Sequence, residues 1–208
     1  MPDEPSEPSG LPPKKPRFRI RGGDRNKTLD ALSALSRASP TPGHRSDFIQ
    51  EINQEKNDRG AAILAVTNVE NILETCIVRS IIDDGRFYDK LFGFNAPIST
   101  FDNKIRIAYA LEIISTQMYE NLNVIRALRN AFAHSKIPIT FETKEVEEAF
   151  INDWNISVTT RMKFITICNI IAANLAHYAS FAAGCRIISR EHKTNPQLQV
   201  VVRPKPLP

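Results

Sequence analysis

Cysteine and glycine are scarce in this chain of 208 residues, with three of the first and eight of the second. So few cysteines exclude a disulfide-stapled secreted scaffold, and so few glycines exclude a collagen-like repeat. No charged-then-apolar leader opens the sequence, so a reducing cytoplasm is the expected compartment. Cys76, Cys168 and Cys185 lack pair spacing, and the four histidines show no zinc-ligand spacing, so no metal is expected. A Gly-rich phosphate loop, a Gly-x-Ser-x-Gly elbow and a cysteine beside a plausible base are missing too. No cofactor is implied, and most familiar enzyme classes go unsupported.

What is present suits one globular body with tails: 23.4 kDa, 42% hydrophobic and 24% charged residues. The formal charge of +4 is unevenly placed. Residues 1–45 carry nine Lys or Arg against five Asp or Glu, and residues 184–208 five against one. The middle, 46–183, holds thirteen basic and seventeen acidic residues, a net −4. Phosphate affinity comes mainly from Lys and Arg neutralisation with counterion release, so such a body is a poor generic binder of nucleic acid.

Residues 1–44 hold eight of the fourteen prolines and little apolar periodicity, the composition of a disordered tail. Within it, Lys14, Lys15, Arg17, Arg19 and Arg21 flank Phe18 and precede two glycines, a run able to track a phosphate backbone or simply to stay solvated. Residues 186–208 read as a second flexible tail ending in Arg203-Pro204-Lys205-Pro206.

Between the tails, over residues 45–185, the period is helical. Phe48, Ile49 and Ile52 begin a short helix after Ser46. Asn57 or Asp58 can cap a longer one with Ala62, Val66, Val69, Leu73, Cys76, Ile77 and Ile81 on its apolar side, ended by Asp83-Asp84-Gly85. A loop with Phe92, Phe94 and Pro97 follows. Ser99 and Asp102 then have capping-box spacing ahead of a helix with Phe101, Ile105, Ala108 and Leu111 on one face. After Ser115/Thr116 the next helix aligns Met118, Leu122, Ile125, Leu128 and Phe132. Thr143 opens a short acidic helix around Val146 and Phe150, and Val158 to Phe181 forms the last long one. The expected fold class is all-α, a helical bundle of about five to seven helices with disordered N- and C-terminal tails.

From Phe164 to Cys185 there is no charged residue, which is long enough to span a membrane. At about 100° per residue, however, Thr166, Asn169, Asn174, His177 and Ser180 fall within one sector of ~140°. That uncharged polar stripe would be costly against lipid but can be satisfied within the bundle or against a second subunit. No membrane span is expected, and a homodimer is.

One constellation carries chemistry. Arg129, Asn130 and His134 end the helix that begins near Thr116. An arginine fork can hold a phosphate, an asparagine can orient a hydroxyl, and a histidine can move a proton near neutrality. Those are the parts of a metal-free phosphodiester cleavage site, and two copies across a dimer would supply both acid and base. The alternative is that Arg129 pairs with a helix carboxylate while His134 interacts with the helix C-terminus. The segment resembles the signature of the HEPN superfamily, in which Arg, a polar residue and a downstream His follow an apolar run. The resemblance implies a helical bundle that is a dimeric metal-independent ribonuclease, a toxin component, a nucleotide-binding relative or a scaffold.

Ser99-Thr100-Phe101-Asp102-Asn103-Lys104-Ile105-Arg106-Ile107-Ala108-Tyr109-Ala110-Leu111-Glu112-Ile113-Ile114, with Tyr119, Leu122, Arg126 and Arg129, is similar to the mannitol operon repressor family. Asp47-Phe48 and Asp58-Arg59-Gly60-Ala61-Ala62 are similar to the start of its domain. This second resemblance spans roughly residues 46–182 and implies an all-helical regulator without a DNA-reading helix-turn-helix. Two functions follow: a non-enzymatic regulatory or interaction module with a protein partner, or a HEPN-type ribonuclease or RNA-binding protein using Arg129, Asn130 and His134.

Overall fold

The computed structural model describes residues 42–81, 85–149 and 158–194, together with Lys27, Ala31, Leu32, Ala34 and Leu35. For residues 42–45, 85–86 and 182–194 it describes the backbone alone. The chain divides into two compact units, Met1–Gly43 and His44–Pro208. In the first, the five described residues before Pro42 are helical, inside the segment whose composition suggests disorder. Lys14, Lys15, Arg17, Arg19 and Arg21 lie outside the described residues.

Seven helices are described and no strand: α1 (Pro42–Gln54), α2 (Asp58–Ser80), α3 (Gly85–Phe92), α4 (Phe101–Ala110), α5 (Thr116–His134), α6 (Lys144–Glu148) and α7 (Thr160–Thr194). The expected all-α bundle is what forms. Helix α1 starts four residues ahead of the expected Ser46, on Pro42, whose fixed φ suits a first helical position. Asn57 caps α2, its side chain accepting from the Arg59 and Gly60 N–H groups, which leaves Asp58 free for other work.

Helix α3 replaces part of the expected loop. It is only two turns long, with Phe87, Tyr88, Leu91 and Phe92 repeating at four-residue spacing, and Tyr88 stacks on Phe92 at 5.2 Å. The cap of α4 is Thr100 rather than Ser99: Thr100 Oγ1 accepts from Asn103 N–H at 3.2 Å. Asp102, expected to close a capping box, turns to Arg106 and Arg126 instead. The end of α4 is a Schellman motif, with Ile113 N–H donating to Ala108 O and Glu112 N–H to Tyr109 O. Glu112 holds the left-handed position, φ 56°, that glycine usually fills. Helix α7 continues to Thr194, beyond Phe181, because no proline interrupts it until Pro196, whose ring disfavours helix at the residue before it. Phe150 lies outside the described residues.

Helix α2 is central, packing most extensively on α7 and also on α4 and α5. Its buried residues include Ala62, Val66, Val69, Leu73, Cys76 and Ile77, as the period requires, while Ile81 is half-buried at the cap. All five apolar positions expected on α5 are buried. Both Asp58–Ser80 and Thr160–Phe181 are long and apolar enough to cross a membrane by length and composition, with mean hydropathies of 1.5 and 1.3. In α2 that apolarity is spent on the core. From the last turn of α5 onward, Phe132, Phe141 and Phe164 form a chain of rings 4.8 and 5.3 Å apart. Each is fully or almost fully buried, a contribution of about 1.5–3 kcal/mol apiece, and together they fix the loop after α5 against α7.

Candidate functional site

Arg129, Asn130 and His134 sit on the last two turns of α5. Arg129 and His134 are five residues apart, about 140° around the helix, so they diverge. Asn130 and His134, four apart, share a side. Arg129 is half-buried and turned inward: Nη1 donates to Asn130 Oδ1 at 3.0 Å and Nη2 lies 3.5 Å from Glu70 Oε2 on α2. His134 is exposed in the last turn. The structure thus brings Arg129 and Asn130 into contact, with His134 about 140° around the helix from Arg129.

Glu70 is the hinge of a larger network. Its Oε1 accepts from Lys104 Nζ at 2.7 Å, and Lys104 also reaches Glu74 Oε2 at 2.8 Å. Tyr88 on α3 donates its hydroxyl to Glu74 Oε1, so the missed helix is tied into this cluster. Lys104 is only 6% exposed. Burial alone would push its ammonium down, but the charge and hydrogen bonds of Glu70, then those of Glu74, hold it above the ordinary lysine value. Nearby, Arg126 Nη2 meets Asp102 Oδ1 at 3.2 Å and Asn123 Oδ1 at 3.3 Å, and Asp102 Oδ2 accepts from Arg106 Nε at 2.9 Å. Each carboxylate and cation here has a charged or polar side-chain partner, although the Arg126 Nε is buried without a hydrogen-bond partner among the described residues.

No known family's sequence pattern matches the chain, and no curated protein matches it. Among solved structures, the chain is similar to MtlR from Escherichia coli, as solved in the MtlR–HPr complex. The TM-score is 0.49 at 15% identity, over 66% of this chain and 97% of that one. The likeness is one of helical arrangement, and at that identity no residue roles carry across.

The polar stripe of α7 is placed on the outside. His177 and Ser180 are exposed, and Thr166, Asn169 and Asn174 half-exposed. Only Ser180 has a hydrogen-bond partner for its side chain among the described residues, the Ala176 carbonyl of its own helix. Between them lie Ile170, Ala173 and Phe181, also exposed. Cys76 and Cys168 are free thiols whose burial pushes each up to about 12, so neither is a nucleophile at neutral pH. Among the described residues no three His, Cys, Asp or Glu side chains cluster to hold a metal.

Sequence reasoning missed a further feature. Where α5 ends, Ser135 to Thr140 face the start of α2, and the two segments enclose an open groove of about 660 Å³ lined by Lys56, Arg59 and Lys136 among others. Lys56 and Lys136 are eighty positions apart, so no local pattern could join them.

Proposed function

We propose that this chain is a non-catalytic regulatory or interaction module that pairs with a second copy of itself through the outer face of α7. The observation that carries the reading is that face. It presents Thr166, Asn169, Ile170, Ala173, Asn174, His177, Ser180 and Phe181 to the outside without one charge. Four of its polar side chains, all but Ser180, have no protein partner among the described residues. A two-fold axis lets such a face meet itself, with amides and hydroxyls answering each other and no like charges opposed. The commitment of Arg129 to Glu70, and its divergence from His134, speak against catalysis within one subunit. The resemblance of Ser99 to Arg129 to mannitol operon repressors supports the regulatory half of the reading.

Light scattering at tens of micromolar tests the pairing. Wild type should run as a dimer and Ala173→Glu, which puts a carboxylate at the middle of the face, as a monomer; a monomeric wild type overturns the proposal. Incubation of wild type, Arg129→Ala and His134→Ala with labelled RNA in chelator tests the absence of catalysis. No cleavage by any of the three is expected. Cleavage that leaves a 2′,3′-cyclic phosphate and drops about 10²-fold in His134→Ala would install the ribonuclease reading, since that is the scale of a positioned proton-transfer group.

A further inference from the structure

The groove between α2 and the loop after α5 collects three cations that answer no carboxylate. Lys56 and Lys136 are exposed, and no ion pair to either is found among the described residues. Arg59 spends one nitrogen on a carbonyl, Nη2 donating to Ser135 O at 3.2 Å, and keeps the rest of its fork. Elsewhere on the same body Lys104, Arg106, Arg126, Arg129, Lys144 and Arg161 have acidic partners, while Arg79 donates to the Ala179 carbonyl and Lys90 lies over the Phe87 ring. The acidic groups at the groove are already engaged. Asp58 Oδ1 takes Arg161 Nη1 at 2.6 Å, and its Oδ2 accepts from Phe141 N–H at 3.1 Å. Glu55 accepts from Asn57 N–H at 2.7 Å and lies over Gly60, where a Cβ would meet its Cδ at 2.9 Å, so it is folded back and does not line the groove.

The helix end itself is closed. Asn57 Oδ1 already takes the Arg59 and Gly60 N–H groups, so whatever enters must be held by the three side chains. The opposite lip is apolar, formed by Ile137, 69% exposed, with Pro138 and Ile139. Two ammonium groups and an arginine fork suit a doubly charged oxyanion, and the lip suits an apolar body attached to it. We propose that this groove binds the phosphoryl group of a small phosphate monoester, with Lys56, Arg59 and Lys136 on the phosphate and Ile137 and Pro138 against the ester group.

The site stands apart from the α7 pairing, so monomeric Ala173→Glu should bind as wild type does, and either proposal can fail alone. Phenyl phosphate and inorganic phosphate, titrated by calorimetry at pH 7.5, are the probes. Phenyl phosphate should bind more tightly, and Ile137→Ser should abolish the difference without changing the affinity for inorganic phosphate. Lys56→Gln and Lys136→Gln, both at exposed positions, should each weaken binding of both probes about tenfold, the scale of one charge-assisted contact. Lowering the pH from 7.5 to 5 should weaken it as well, because the second phosphate ionisation lies near ~6. Equal affinity for the two probes would overturn the ester assignment in favour of free phosphate. Binding insensitive to both lysine variants would overturn the site. A short RNA that binds more tightly than phenyl phosphate and loses its affinity in the same variants would overturn the small-ligand class.

Discussion

Lys104 illustrates how one side chain can decide whether several others are tolerable. Its ammonium neutralises Glu70 and Glu74, and Glu70 in turn receives Arg129. Removing it in Lys104→Met strands two half-buried carboxylates side by side, and breaking a buried pair this way costs about 3 kcal/mol, read as a fall in unfolding free energy in urea. The pH dependence follows from the direction of its shift. Because the folded value lies above the unfolded one of about 10.4, the contribution is complete below that pH and is lost as pH rises through the folded value. Wild type should therefore lose stability in that alkaline window, and Lys104→Met should lack this component. Nothing local announced the role: Lys104 lies among Asn103, Arg106 and other polar residues of α4, and its partners are 34 and 30 positions away. For Arg129 the carboxylate partner was one of the two readings its motif allowed, but which carboxylate, Glu70 on α2, lies 59 positions away and could not be read locally.

At the scale of the element, periodicity was a good guide where helices are long and a poor one where they are short or end. Met118, Leu122, Ile125, Leu128 and Phe132 repeat over four turns and all are buried. The repeat of α3, Phe87 with Leu91 and Tyr88 with Phe92, covers only two turns and is easily passed over, and Tyr88 also ties it to Glu74 by a tertiary contact. Caps were legible only to within a residue, since Ser99 and Thr100 are both good cap residues and backbone geometry chooses between them. Thr100→Ala should cost about 1 kcal/mol of stability while Ser99→Ala stays within about 0.5 kcal/mol, compared by thermal unfolding. The turn after α4 gives a second test. Glu112 sits where an L side chain is strained, so Glu112→Gly should raise the unfolding free energy by up to about 1 kcal/mol. Glu112→Ala, which keeps a Cβ, should bring no such gain.

Over the whole molecule, charge and apolarity are sorted into different places. The body is net negative between residues 46 and 183, six of its thirteen cations are held in ion pairs among the described residues, and an uncharged exposed face lies on α7. If that face pairs two copies, no ion pair holds them, and the dimer should persist in 1 M salt, where screening reaches within about 3 Å, as light scattering across a salt series would read. Fold class was legible from composition and period because burial of apolar stripes is a local demand repeated along the chain. The groove was not, because it is made by bringing Lys56 and Arg59 to Lys136 through the ring stack of Phe132, Phe141 and Phe164.

Two bonds from α2 to the backbone of α7 set how these regions can move. The Cys76 thiol donates to Leu175 O at 3.0 Å, and Arg79 Nη1 donates to Ala179 O at 2.9 Å, one turn apart on both helices. They act as a pair of detents. Sliding α7 along α2 by half a turn, about 2.7 Å, would part both donors from their carbonyls at once, so the pair resists axial slip of one helix on the other. The outer face of α7 is therefore carried on a helix keyed to the central one at two neighbouring turns.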